Sequence, residues 1–229
     1  MYIHAYGFKY IYYPTAKISP MKLKRGLLID FEGIDGSGKA VQSTNLLKWL
    51  QKEDYDVHVY TYPDLDSKYG EILNDLLKGK IEMDEKTQLL TFAADIMKDQ
   101  QVIRKELERG SIVLLDRYLP STIAYQCAKG MPVFDALRLI NMIQPIHPDA
   151  ILWFDIPPEV GIARRKAKKG KRRTDVHDTD LELLRRVKQN YTHLCKMKWL
   201  SKKWVQVDGR RPIEKIGEEI KQLVEPMLK

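Results

Sequence analysis

A three-layer α/β domain, built on a doubly wound, parallel five-stranded sheet, is the fold class that the sequence predicts. Three observations lead to it. Five short apolar runs alternate with helical stretches from residue 26 onward. Runs such as IVLL are apolar without alternation, which marks strands covered on both faces. A glycine-rich segment, Gly33 to Gly38, joins the first of these strands to the first helix.

The first strand is GLLIDFE, residues 26–32. A helix follows with Ala40, Ser43, Leu46, Leu47 and Leu50 on one side, the spacing of an amphipathic face. DVHVYTY (56–62), SIVLLD (111–116), AILWFD (150–155) and KWVQVD (203–208) supply the other four strands. The last helix repeats apolar residues at Ile213, Ile216, Ile220, Leu223, Val224 and Met227, with Pro212 suited to its first turn and Pro226 to its end. Strands joined by helices pair in parallel, so the alternation itself fixes the sheet type. Residues 26–229 read as one domain. Residues 1–25 read as an N-terminal extension: Tyr2, Tyr6, Phe8, Tyr10, Tyr12 and Tyr13 precede Met21 without a clear period. Translation from Met21 and a packing or dimer role for the extension are both open on this pattern.

Composition narrows the function classes. With 44% apolar and 31% charged residues the chain resembles a folded globular protein rather than a disordered one. Its longest unbroken apolar run is five residues, Ala150 to Phe154, against the roughly 20 that a membrane-spanning helix needs. No membrane partner is expected. Cys127 and Cys195 lie 68 positions apart with no CxxC pair, so neither a zinc site nor a disulfide framework is indicated, and a reducing cytoplasm is expected. Of the +8 net charge, all comes from residues 164–173, RRKAKKGKRR, which hold eight basic side chains and no acid. A nucleic-acid binder more often spreads its basic residues along a face interleaved with aromatics, whereas one basic segment suits a clamp on a compact polyanion such as a nucleotide triphosphate.

The chemistry concentrates in FEGIDGSGKAVQ. Gly33-x4-Gly38-Lys39 between a strand and a helix is the P-loop pattern, in which successive backbone N–H groups and a helix N-terminus face phosphate oxygens. Gly33, Ile34, Asp35, Gly36, Ser37, Gly38, Lys39 and Ala40 are therefore the expected ATP contacts, with the Lys39 charge directed at the β- and γ-phosphates. Ala40 departs from the pattern, because the usual Ser or Thr hydroxyl at this point binds Mg²⁺. A water in its place, heavier reliance on Asp116, or a contribution from Ser37 are the alternatives.

Several further segments resemble the thymidylate kinase family, in the family's order from about Gly26 to the last helix: YPDLDSKYGEIL, LLTFAAD, DRYLPSTIAYQCAKG, PDAILWFDIPPEVGIAR and DVHDTDLELLRRVKQNY. The resemblance implies transfer of the ATP γ-phosphoryl group to the phosphate of dTMP, with Mg²⁺, in a homodimer packed through helices. It implies that Arg117 holds the acceptor phosphate, that Asp116 lies near the metal, and that Asp35 accepts from the sugar 3′-hydroxyl. Phe92 would stack on thymine, Tyr125 would oppose a ribose 2′-hydroxyl, and Tyr62, Ser121 and Gln126 join the expected substrate contacts. Ile96 stands where the family commonly has an arginine aimed at a base carbonyl; Gln126 and Arg104 are the alternative donors. Gly36 stands where some members carry a catalytic arginine, so the resemblance moves that role to a basic lid, residues 164–178. Arg164, Lys168, Lys169, Arg172 and Arg173 are its candidates. Asp175 and Asp178 follow the basic run, where helix capping and a role in lid closure explain them equally. Two departures, Ala40 and Ile96, keep other readings in view: a sibling monophosphate kinase of different base preference, and a nucleotide-binding protein with weak catalysis. A nucleic-acid-binding P-loop protein using the basic decapeptide is the third.

Overall fold

The computed structural model describes residues 21–169 and 180–229, excluding the side chains of Lys168 and Lys169. All five expected strands form: β1 (Leu27–Glu32), β2 (Val57–Thr61), β3 (Ile112–Asp116), β4 (Ala150–Asp155) and β5 (Trp204–Asp208). They pair in parallel in the order β2-β3-β1-β4-β5, which puts β1 at the centre. The helices are α1 (Lys39–Lys52), α2 (Lys68–Leu77), α3 (Glu85–Met97), α4 (Gln100–Glu108), α5 (Leu119–Ala128), α6 (Val133–Met142), α7 (Pro158–Lys169), α8 (Leu181–Met197) and α9 (Ile213–Val224).

Side-chain alternation along the buried strands divides the core into layers. Leu27, Ile29 and Phe31 face α1 and α9, where Leu46, Leu50, Ile216, Ile220 and Val224 complete one cluster. Leu28, Val113, Leu115 and Ile151 face the opposite side, against Leu89, Ile96, Leu119, Ile123 and Ile140. Apolar burial on both faces is the physical reason these strands carry no polar alternation.

Two details of the sequence reading change. Ala40 is exposed, and the buried face of α1 is Lys39, Gln42, Ser43, Leu46 and Leu50, a stripe from whose centre Ala40 stands roughly 100° away around the helix. The last helix stops at Val224, and Met227 lies in a 3₁₀ turn, Glu225–Leu228, that Pro226 favours by removing an N–H; Ile213 is half-exposed at the start. Residues 21–25, grouped with the extension on sequence, are fastened to the domain: Met21 N–H donates to the Asp54 carbonyl at 2.6 Å and Leu23 N–H to that of Gly110 at 2.8 Å.

Candidate active site

The carboxyl ends of β1 and β3 meet where the chain reverses direction across the sheet, the edge at which open α/β sheets bind ligands. The loop after β1 is lined by backbone. Gly33, Gly36 and Gly38 take φ of 142°, 81° and 99°, values that L side chains rarely adopt. At Gly36 a Cβ would lie 2.5 Å from the carbonyl oxygen of Gly161 in α7, so loop and helix touch main chain to main chain. Gly38 caps α1 in the left-handed conformation with no side-chain hydrogen bond, which leaves first-turn N–H groups for an anion.

Lys39 is the first residue of α1 and only 7% exposed. Its Nζ stands 3.4 Å from Asp35 Oδ1 and 3.9 Å from Asp116 Oδ1, one contact at the long limit for a hydrogen bond and one beyond it. Asp116 ends β3, and Arg117 then takes φ 71° while its N–H donates to the Phe31 carbonyl at 3.0 Å. That turn aims the guanidinium back at the loop. There it pairs closely with Asp35, donates through Nη1 to Ser121 Oγ at 3.0 Å, and lies 5.5 Å from the Tyr125 ring centroid. Desolvation favours the neutral form of Asp35, but Arg117, Lys39 and Arg165 outweigh it and hold the carboxyl well below the usual carboxylate range. Burial pushes the Tyr125 hydroxyl up to about 12, so the ring is neutral.

Glu32, which sequence reasoning missed, organises this side of the site. Its Oε1 accepts from the N–H groups of Tyr118 (2.9 Å) and Ser121 (3.1 Å), and its Oε2 from Ser121 Oγ (2.5 Å) and the Tyr191 hydroxyl (2.8 Å). A fully buried carboxylate thereby serves the start of α5, which has no side-chain cap of its own. The only sequence signal was a glutamate closing an otherwise apolar strand. Ser121, expected as a substrate contact, spends its hydroxyl on Glu32, Tyr191 and Arg117. Asp30, also fully buried, is pushed up by burial first and then by the neighbouring charges of Glu32 and Asp116.

The remaining site residues divide. Phe92 on α3 is partly exposed, so its ring is accessible. Tyr62 is buried: its hydroxyl donates to Asp99 at 3.0 Å and Lys98 Nζ lies 5.1 Å from its ring centroid. Gln126 is buried with Oε1 lacking a hydrogen-bond partner among the described residues, whereas Arg104 is exposed on α4. Ile96 is 2% exposed and belongs to the core with Tyr62, Leu89, Ala93 and Ile103, so an arginine there would carry its charge into apolar packing. In α7, Arg164 donates to the carbonyls of Gly209 (2.8 Å) and Gly36 (3.3 Å), fastening the back of the loop. Arg165, not singled out by sequence, instead points at the site, with Nη1 3.7 Å from Asp35 Oδ2. The side chains of Lys168 and Lys169, with Arg172, Arg173, Asp175 and Asp178, lie outside the described residues.

A divalent cation fits the donors present. Asp116 Oδ1 is buried without a hydrogen-bond partner among the described residues, and Mg²⁺ characteristically takes one or two protein oxygens and keeps waters for the rest; Ser37 Oγ is likewise unpartnered but sits inside the loop, 3.0 Å from where a Cβ on Gly33 would stand. Among the described residues no group of three or more His, Cys, Asp or Glu is arranged to hold a metal by itself.

A P-loop at the first strand, a DR pair ending the strand beside it and cations converging on both define a nucleotide-binding domain of the P-loop class. The family model for thymidylate kinase matches residues 31–220. A probable thymidylate kinase of Pyrococcus abyssi is 35% identical over 206 residues, covering 87% of this chain and 96% of the relative. The thymidylate kinase of Thermosipho melanesiensis is 31% identical over 205 residues, covering 88% and 99%. That of Caenorhabditis elegans is 37% identical over 150 residues, 62% of this chain and 68% of its own. The chain belongs to the thymidylate kinase family.

Proposed function

We propose that the protein transfers the γ-phosphoryl group of ATP to the phosphate of dTMP, giving dTDP and ADP. The observation that carries this is the convergence of Lys39, Arg117 and Arg165 on Asp35, in front of a loop lined by backbone N–H groups. Phosphoryl transfer between two polyanions asks the protein for positioning and preorganised positive charge rather than covalent chemistry. Lys39 would bind the β- and γ-phosphates of the donor, and Arg117, held by Ser121 and turned by its positive φ, the acceptor phosphate. Asp35 would release Arg117 toward that phosphate and accept from the sugar 3′-hydroxyl. Phe92 would stack on the base, worth about 0.5–1.5 kcal/mol beyond burial, and Tyr125 would close the space that a 2′-hydroxyl needs. Arg165 and the basic residues after it would neutralise charge on the group in transfer. Mg²⁺ would be held by Asp116 and Ser37 with water standing for the hydroxyl missing at Ala40, supplying charge neutralisation between the phosphates.

A coupled assay of ADP release with dTMP, dUMP, CMP and AMP tests the reading. Turnover highest with dTMP supports it; silence with dTMP and dUMP beside robust CMP or AMP turnover would assign a sibling specificity, which the loss of the arginine at Ile96 favours.

Two coarser expectations belong with this function. Tyr69 and Ile72 on α2, Leu90 on α3 and Phe134 on α6 are exposed apolar side chains, the last 75% exposed, that a homodimer would cover; light scattering at the dimer mass would support it and a monomer at micromolar concentration would refute it. Cys127 and Cys195 are free thiols, Cys127 pushed up to about 11 by burial, as suits a reducing cytoplasm.

A further inference from the structure

The Arg117 guanidinium donates to Asp35 and, through Nη1, to Ser121 Oγ at 3.0 Å. In the proposed reaction Asp35 gives up its share when the acceptor phosphate arrives. Ser121 is then the hydroxyl that holds the guanidinium in place, so whatever fixes Ser121 fixes the acceptor site.

We infer that Tyr191, on α8, is a positioning residue for the acceptor phosphate, acting through Ser121 and Glu32 on Arg117, a role that rests on the proposed transfer and deepens it. A guanidinium can only donate, so Ser121 Oγ accepts from Arg117 and must send its own proton elsewhere. Its two oxygen neighbours are Glu32 Oε2 at 2.5 Å and the Tyr191 hydroxyl at 2.8 Å. Tyr191 in turn stands 2.8 Å from the same Glu32 oxygen, which closes a triangle of three oxygens. Whichever corner takes the Tyr191 proton, the Ser121 proton stays inside the triangle and the serine lone pairs are left facing Arg117.

The surroundings of the triangle support a positioning role. Tyr191 and Glu32 are fully buried, so the tyrosine acts without touching a ligand. Burial pushes the Tyr191 hydroxyl well above its ordinary value, which leaves it a proton donor at neutral pH. Burial also raises the Glu32 carboxyl, and what pulls it back is Ser121, Arg117, Tyr191 and the Tyr118 N–H, the members of this same network. The Tyr191 ring is stacked on Trp153 of β4, centroids 6.1 Å apart and planes at 18°, so the hydroxyl is delivered from a fixed ring. The next residue back on α8 does a different job: Asn190 Nδ2 donates to the Ala124 carbonyl at 2.9 Å, which docks α8 on α5 without entering the triangle.

Steady-state kinetics of the full chain carrying Tyr191→Phe, which removes one oxygen and keeps the ring, tests the role. KM for dTMP should rise about tenfold, while kcat stays within about threefold and KM for ATP within about twofold. Asn190→Ala should lower the melting temperature and leave both KM values within about twofold, as loss of a merely structural bond would. Ser121→Ala should itself raise KM for dTMP, and adding Tyr191→Phe to it should change little more, because the oxygen acted through is gone. An unchanged KM for dTMP, an equal rise for ATP, an equal rise in Asn190→Ala, or full additivity with Ser121→Ala would overturn the proposal. A parent that phosphorylates another monophosphate instead of dTMP would refute the assigned base preference, and the same comparison run with that substrate would still decide the role of Tyr191. Should Tyr191→Phe fail to fold, or the parent turn over no monophosphate, the ¹⁹F resonance of 3-fluorotyrosine at position 191 decides: it should move on saturation with dTMP and not with a non-hydrolysable ATP analogue, and a resonance still under dTMP or moved equally by both overturns the role.

Discussion

Two lysines, each surrounded by carboxylates, show how one side chain does different work at two places in the molecule. Lys98 at the end of α3 has Nζ 2.7 Å from Asp99, 3.0 Å from Asp95 and 3.3 Å from Asp64, and it also donates to the Asp95 carbonyl at 2.9 Å. Burial opposes its charge, but Asp99 and Asp95 raise its pKa above the ordinary lysine value. Lys39 is the more enclosed of the two, yet its nearest carboxylate is at 3.4 Å. A lysine whose partners saturate it ties elements together, here α3 to the loop after β2. A lysine held near acids without close contact keeps its charge for something that arrives later.

Substitution should separate the two roles. The largest effect is expected from Lys39→Ala: ATP-dependent turnover falls about 10³-fold or more while the thermal melt stays near that of the parent, because no close ion pair is lost. A variant retaining a tenth of the activity would break the contrast. Next, Lys98→Met should destabilise by about 3 kcal/mol, since it leaves buried Asp95 without its cation, or roughly 6–12 °C in melting temperature for a chain of this size. Turnover per folded molecule should stay within about threefold. The sign with pH follows from Asp95, whose carboxyl is raised by burial while the Asp64 N–H and Lys98 pull it back. Without Lys98 it rises further, so the deficit of the variant should shrink as pH falls and Asp95 takes a proton. A deficit that grows in acid would mean that Lys98 acts through something other than the carboxylate pair.

Smaller effects sharpen the Lys39 side. Arg165→Met should lower kcat about 10- to 100-fold with little change in melting temperature, whereas Arg164→Met, which frees the carbonyls of Gly36 and Gly209, should show in stability as well as rate. Equal behaviour of the two variants would remove the distinction between them. Ala40→Ser should only move the Mg²⁺ requirement a few-fold lower, about 1 kcal/mol for one restored oxygen contact; an unchanged magnesium titration would show that water already does the work.

What could be read from the chain was what is encoded locally. The five strands announce themselves as short apolar runs, and the phosphate loop is legible because glycine spacing, a lysine and a strand-to-helix junction all fall within residues 33–40. The contacts that make the loop a site were not legible. Glu32 meets Tyr191 across 159 positions and Ser121 across 89. Nothing in either neighbourhood marks the pairing. Arg164 and Arg165 are adjacent and alike in type; only the rotation of α7 sends one to the back of the loop and the other to its mouth. Ala40 illustrates the converse: helical spacing groups it with Leu46, Leu47 and Leu50, but the buried stripe is centred on Lys39, Gln42 and Ser43 as well, polar residues that no hydrophobic pattern marks, and that centring leaves Ala40 outside.

The meeting of Gly36 with Gly161 constrains how this site can change over time. Family members that carry their catalytic cation inside the loop need a long side chain where Gly36 stands. Here that side chain would begin 2.5 Å from a carbonyl oxygen, on a residue whose φ is 81°. A side chain at position 36 therefore requires α7, the helix that carries Arg164 and Arg165, to move away from the loop, so the shape of the loop and the seat of those two arginines cannot be altered one at a time.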